Sequence, residues 1–221
     1  MAPLTYDVEH SIAIPSGTIQ LDGLLYVPKK SSGLVLFVHG SGSSRFSTRN
    51  QFVARCLNKA NLATLLFDLL TPEEDLVDNL TREFRFDIQL LASRLVNVTK
   101  WCKAQPELRP LGTGYFGAST GGGAALVAAA TLPEEVHAVV SRGGRPDLAV
   151  ESLSQVLAPT LLIVGELDDV VIELNKSAMS QMNCIKQLEI VPGATHLFEE
   201  PGALNEVARL AKAWFTSYLN H

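Results

Sequence analysis

Short apolar runs alternate with stretches of helical periodicity along all 221 residues of the chain. That alternation is the pattern of an α/β domain built on a mostly parallel sheet. The runs Leu34 to Val38, Ala63 to Asp68, Gly114 to Ala118, Val136 to Ser141, Thr160 to Gly165 and Lys186 to Val191 lack a clear polar/apolar alternation, as strands buried on both faces do. Ahead of them, Tyr6 to Ile14 and Thr18 to Val27 flank the turn cluster Pro15-Ser16-Gly17, so an antiparallel pair is expected there. Helices are expected over Thr48 to Ala60, Arg85 to Lys103, Gly121 to Ala130, Val171 to Ser180 and Ala203 to Tyr218. In the last of these, Leu204, Val207, Leu210, Ala211, Trp214, Phe215 and Tyr218 recur at three- and four-residue steps, a stripe suited to lie on a sheet. The acidic segment Leu69 to Glu83 reads as a solvated loop. Between the strand ending near Ser141 and the one starting at Thr160 there is room for one short helix, which leaves no place for a lid domain. No repeat or linker divides the chain, so a single domain over residues 1–221 is expected.

Composition narrows the function classes. A hydrophobic share of 47% is enough for one full-sized core, and a formal net charge of −5 without a Lys/Arg cluster gives no electrostatic footprint for nucleic acid. Cys56, Cys102 and Cys184 are odd in number and in no CxxC spacing, which points to reduced thiols rather than a disulfide framework or a zinc site. No His/Asp/Glu set has ligand spacing such as HExxH, and no complete phosphate-binding glycine fingerprint is present. Neither a metal nor a cofactor is therefore expected. The first ten residues carry Asp7 and Glu9 without a basic region before an apolar run, and no run approaches the roughly 18 residues of a membrane helix. The expected setting is the cytoplasm, with no membrane partner.

The segment with chemistry in it is Gly117-Ala118-Ser119-Thr120-Gly121, of the form G-x-S-x-G and placed between an expected strand and an expected helix. A serine on so sharp a turn projects its hydroxyl from the sheet edge, and the crowding demands glycine two residues to either side. Gly122, Gly123, Ala124 and Ala125 then let the helix start close to the strand, its free amides aimed at developing negative charge. A serine hydroxyl needs a base to take its proton, and the base needs a partner that fixes its tautomer. Of the five histidines, His10 and His137 lie within strands, His221 is terminal, and His39 suits a bracing role on its glycine loop. His196, in the loop just past the last strand, is the candidate base. Asp168 and Asp169 follow the strand that ends at Gly165; the three-residue step favours Asp168, with Asp169 as the alternative and helix capping as the other task for the pair. For the oxyanion, the backbone N–H of Thr120 comes with the turn. The N–H of Ser41, in His39-Gly40-Ser41-Gly42, is the candidate second donor.

These segments, together with Gly193 to His196, resemble the α/β-hydrolase superfamily over nearly the whole chain. The order Ser119, Asp168, His196 is that of this superfamily. The small size, the missing lid and Phe67-Asp68-Leu69-Leu70 are similar to the dienelactone hydrolase group within it. The resemblance implies a three-layer αβα sandwich around a twisted eight-stranded sheet, its second strand antiparallel, with a carboxyl-ester hydrolase site at the strand C-termini. One departure concerns the nucleophile: dienelactone hydrolases use cysteine where this chain has Ser119. The expected activity is that of a serine hydrolase acting on a small-molecule carboxylic ester, lactone or thioester through an acyl-enzyme. The alternative is a non-catalytic ligand-binding or scaffold protein on the same fold. Arg45, Arg49, Arg142 and Arg145 come from connections on the expected active face, and Arg142 or Arg145 is the candidate for binding a substrate carboxylate. Oligomeric state is not legible.

Overall fold

The computed structural model describes residues 4–219. Its strands are β1 (Glu9–Ser16), β2 (Ile19–Tyr26), β3 (Gly33–Val38), β4 (Leu62–Phe67), β5 (Gly112–Ala118), β6 (Val136–Arg142), β7 (Thr160–Gly165) and β8 (Lys186–Val191). The helices are α1 (Thr48–Asn58), α2 (Pro72–Thr81), α3 (Ile88–Ala104), α4 (Thr120–Thr131), α5 (Asp169–Gln181) and α6 (Ala203–Leu219), with a kinked 3₁₀ segment over Pro146–Gln155. The strands form one open sheet in the order β1-β2-β4-β3-β5-β6-β7-β8. β3 to β8 pair in parallel, and β2 is antiparallel to both β1 and β4.

Every residue of β3, β4 and β7 is buried, which is why their sequences show no period of two. Their side chains feed two cores. Leu34, Leu36 and Tyr115 join Leu91, Leu95 and Ala125 from α3 and α4 on one face. Val35, Phe37 and Phe116 meet Val53, Leu57, Val207 and Phe215 from α1 and α6 on the other. Parallel strands with helices on both faces place all strand C-termini at one edge, and ligand sites of such sheets form there.

Three local expectations change. Pro15 and Ser16 belong to β1, and the hairpin turns at Gly17 and Thr18. Strand β8 is an edge strand with one neighbour, its residues mostly half-exposed; Lys186, Gln187 and Glu189 are the polar side chains that discourage further pairing at an edge. The acidic segment after β4 is not a loop but contains α2. Thr71 accepts the Glu74 N–H with its hydroxyl, the Glu74 carboxylate accepts the Thr71 N–H, and Pro72 opens the helix. This reciprocal cap offsets the weak helix preference of the acidic residues, and Glu73, Glu74 and Asp75 sit favourably at the positive end of the helix dipole.

Candidate active site

Ser119 stands between β5 and α4 with φ 51° and ψ −122°, a left-handed conformation that costs a non-glycine residue about 1–3 kcal/mol. The glycines around it are required by close approach. A Cβ on Gly117 would lie 2.6 Å from the Gly121 oxygen, and one on Gly121 would lie 2.1 Å from the Val38 oxygen. The turn is therefore wedged between β5 and the end of β3. Its backbone is pinned on both sides: Ser119 N–H donates to the Arg142 carbonyl at 3.2 Å, and Arg145 N–H donates to the Ser119 carbonyl at 3.0 Å.

The structure brings Asp168 and His196 together. His196 Nδ1 and Asp168 Oδ2 are 2.6 Å apart, with the Asp168 side chain mostly buried and the imidazole half-buried. Asp168 occupies the cap position of α5 but makes no capping bond there, so its carboxylate is free for the ring, while Asp169 lies in the first helical turn. The loop bearing His196 is clamped to the end of β7 by Glu166 N–H to Val191 O, Leu167 N–H to Ala194 O, and Gly193 N–H to the Glu166 carboxylate. On its other side the imidazole packs against Gly143: a Cβ there would be 3.4 Å from its Cε1 and Nδ1. Gly143 directly follows Arg142, whose carbonyl holds Ser119. No hydrogen bond joins the Ser119 hydroxyl to the imidazole in this structure; such bonds are often long without substrate.

His39 is a brace. Its Nε2 accepts the Leu69 N–H at 3.0 Å, which places the proton on Nδ1, and Nδ1 donates to the Gly40 carbonyl at 2.9 Å. Burial lowers its pKa against the opposing pull of the Gly40 bond and nearby carboxylates, so the ring stays neutral and ties the β3 loop to the end of β4. His10 bonds the Thr5 carbonyl and His137 the Thr113 N–H, neither of them among the site residues. His221 lies outside the described residues. The Ser41 N–H, expected as an oxyanion donor, is directed at the Thr120 hydroxyl, 2.9 Å away.

The four arginines separate. Arg45 pairs with Asp68 and Asp22, Arg49 with Glu199 at 2.8 Å, and Arg145 with Asp147 through two bonds of 2.7 and 2.8 Å. Arg142 differs: it is 6% exposed, has no acidic partner among the described residues, reaches Asn50 Oδ1 only at 3.4 Å, and lies 5.7 Å from the Phe198 ring centroid. Its Nε is buried without a hydrogen bond. Burial, with the nearby Arg49 charge, lowers its pKa to about 10.

A cavity of about 210 Å³ adjoins the β3 loop, lined by His39, Gly40, Ser41, Leu69, Leu70 and Leu91 among others. Its roof includes Pro72, Asp75 and Asp78 of α2. Two ion pairs hold this helix down. Arg94 binds Glu74 at 2.5 Å and the Leu69 carbonyl, and the buried Asp78 carboxylate binds Arg85 Nε at 2.5 Å plus the N–H groups of Phe84 and Arg85. Sequence reasoning missed both tethers; the Thr71-Pro72-Glu73-Glu74 start signal was the clue available. Among the described residues no group of three or more His, Cys, Asp or Glu is placed to hold a metal ion, and no helix is long and apolar enough to cross a membrane.

An open, mostly parallel sheet with helices on both sides, a strained serine turn after β5 and an Asp–His pair at the ends of β7 and β8 defines an α/β-hydrolase. The chain belongs to the dienelactone hydrolase family, which it matches over residues 54–220. It is 58% identical to a dienelactone hydrolase from Anabaena variabilis, whose crystal structure superposes with a TM-score of 0.95 over 96% of this chain and 98% of that one. The fold also matches Est1E from Butyrivibrio proteoclasticus at 16% identity and a TM-score of 0.78, covering 94% and 98% of the two chains. Proteins from two strains of Mycobacterium tuberculosis, each named "Putative phosphoribosyl transferase", are 57% identical over 211 residues, which is 96% of this chain and 47% of theirs. The chain thus spans about half the length of the curated relatives it matches.

Proposed function

We propose that the protein is a serine-dependent carboxylic ester hydrolase. Ser119 Oγ attacks the ester carbonyl and passes its proton to His196 Nε2, while Asp168 holds the Nδ1 proton and stabilises the imidazolium. The imidazolium then protonates the departing alcohol. Water attacks the acyl-enzyme and gives a proton to Nε2, and the imidazolium returns that proton to the departing Ser119 Oγ as the acid is released. The observation that carries this reading is the 2.6 Å Asp168–His196 bond at the same sheet edge as a serine held at positive φ. Membership of the dienelactone hydrolase family supports hydrolysis.

The absence of a lid domain among the described residues leaves the serine turn at an open sheet edge, and a short acyl group is the simplest substrate for it. We assign the transferase name of the mycobacterial relatives to the half of those proteins that this chain does not match. Ser119→Ala and the parent protein, assayed on short- and long-chain p-nitrophenyl esters, a lactone and a thioester, test the proposal. The parent is expected to turn over short-chain esters fastest, and the variant to lose that turnover. Retained turnover in Ser119→Ala removes Ser119 as nucleophile.

A further inference from the structure

We infer that the side-chain hydroxyl of Thr120 is itself an oxyanion donor, and that the Ser41 amide acts through it. This deepens the proposed hydrolase reading and rests on it.

The inference starts from where threonine protons go. Thr81, Thr99 and Thr131, all in helices, each direct the hydroxyl at the carbonyl four residues earlier, at 3.1, 2.8 and 2.9 Å, the usual outlet for a helical threonine. Thr120 is the first residue of α4, so no helical carbonyl precedes it by four. Its oxygen accepts the Ser41 N–H at 2.9 Å, and its own proton has no acceptor among the hydrogen bonds of the described residues. The residue is 3% exposed, which leaves a buried donor without a partner among the described residues. Such a group is costly unless something binds it.

The missing partner has a defined place. Thr120 N–H is an unpaired amide at the start of α4, the donor that a serine turn of this kind presents to a tetrahedral intermediate. A hydroxyl on the same residue, supported from behind by an N–H donor, is polarised toward giving its proton forward. As the carbonyl oxygen of the substrate gains negative charge it meets Thr120 N–H and Thr120 O–H together. Ser41 strengthens the second without leaving its present bond. No proton is transferred in this step. The hydroxyl only donates a hydrogen bond, and Ser119 still loses its proton to His196.

The test uses Thr120→Val, which keeps the shape and removes the hydroxyl, beside Thr120→Ser, which keeps it. Each is assayed with p-nitrophenyl acetate and with an alkyl trifluoromethyl ketone, whose adduct with Ser119 mimics the intermediate. Thr120→Val is expected to lose about 10²–10³-fold in kcat with KM changed little, and to weaken ketone inhibition by a similar factor. Thr120→Ser is expected to recover most of both losses. Stoichiometric labelling of Ser119 by a fluorophosphonate establishes that each variant is folded around its nucleophile. The inference is overturned if labelled Thr120→Val turns over within threefold of the parent, or if Thr120→Ser falls as far as Thr120→Val. Full turnover in Ser119→Ala would instead remove Ser119 as the nucleophile on which the inference rests, so the two failures are distinct.

Discussion

Replacing Gly165 with alanine changes one methyl group at a residue that takes no part in the proposed chemistry, yet it should disable the enzyme. Gly165 ends β7 where the His196 loop crosses it. A Cβ at this position would lie 2.3 Å from the Ala194 oxygen and 2.7 Å from the Thr195 oxygen, against 3.4 Å for an ordinary contact. Both obstacles are backbone of the loop, so no side-chain rotation relieves them. The loop must retreat by about 1 Å, and His196 follows one residue later. Asp168 cannot follow freely, because its N–H is bonded to the Gly165 carbonyl at 3.1 Å. A displacement of about 1 Å in a catalytic group is worth about 10²-fold in rate, while overpacking of this kind costs roughly 1–3 kcal/mol of stability. Gly165→Ala should therefore stay folded at 25 °C, with Tm lowered by a few degrees and kcat on p-nitrophenyl acetate down about 10²-fold. Parental kcat in the folded variant would refute the claim that contact with β7 sets the position of His196.

Two further outcomes follow from charge placement. Arg142→Gln should raise KM for a mono-p-nitrophenyl ester of a dicarboxylic acid well above its effect on p-nitrophenyl acetate, whereas Arg145→Gln, whose guanidinium is already committed to Asp147, should do so less. Equal changes for both esters would remove Arg142 as an anion-binding group. The Glu74 and Asp78 carboxyls are raised by burial, but hydrogen bonds from Arg94 and Thr71 to the first, and from Arg85 and Phe84 to the second, outweigh it and hold both below their ordinary values. Depressed carboxyls stabilise the fold above the unfolded carboxylate range of about pH 4 and lose that contribution as pH falls through the folded values. Glu74→Ala, which leaves the buried Arg94 unpaired, should cost about 3 kcal/mol at neutral pH. It should also flatten the fall of Tm between about pH 5 and pH 3; a Tm–pH curve parallel to that of the parent would contradict the assignment.

Much of this architecture is legible in the chain because steric demands leave few alternatives. Gly117, Gly121 and Gly165 stand where backbone meets backbone, and no other residue fits, so the serine turn and the end of β7 announce themselves. The buried strands are readable for a similar reason: with water on neither face, Leu34 to Val38 and Thr160 to Gly165 carry no polar alternation. Where a residue has two possible partners, the sequence is silent. The three-residue step from Gly165 favours Asp168 over Asp169 for the ring but does not decide it; the outcome depends on the loop after β8, about 28 residues on by the separation of the pair. The acidic run after β4 looks solvated by composition, but its cap and the Arg94 and Arg85 tethers make it the roof of a cavity. Arg142 and Arg145 look equivalent until their acids are seen: Arg145 is paired with Asp147, and Arg142 has no acidic partner among the described residues. The bond from Ser41 to the Thr120 hydroxyl joins residues 79 apart in sequence and has no local signature.

The most direct measurement is to treat the protein with a fluorophosphonate, follow ester turnover as labelling proceeds, and map the modified peptide by mass spectrometry. One label per chain at Ser119, appearing in step with loss of activity and far more slowly in His196→Ala, is the outcome expected here. A fully active enzyme with unmodified Ser119, or inactivation by a label on another residue, would contradict the account.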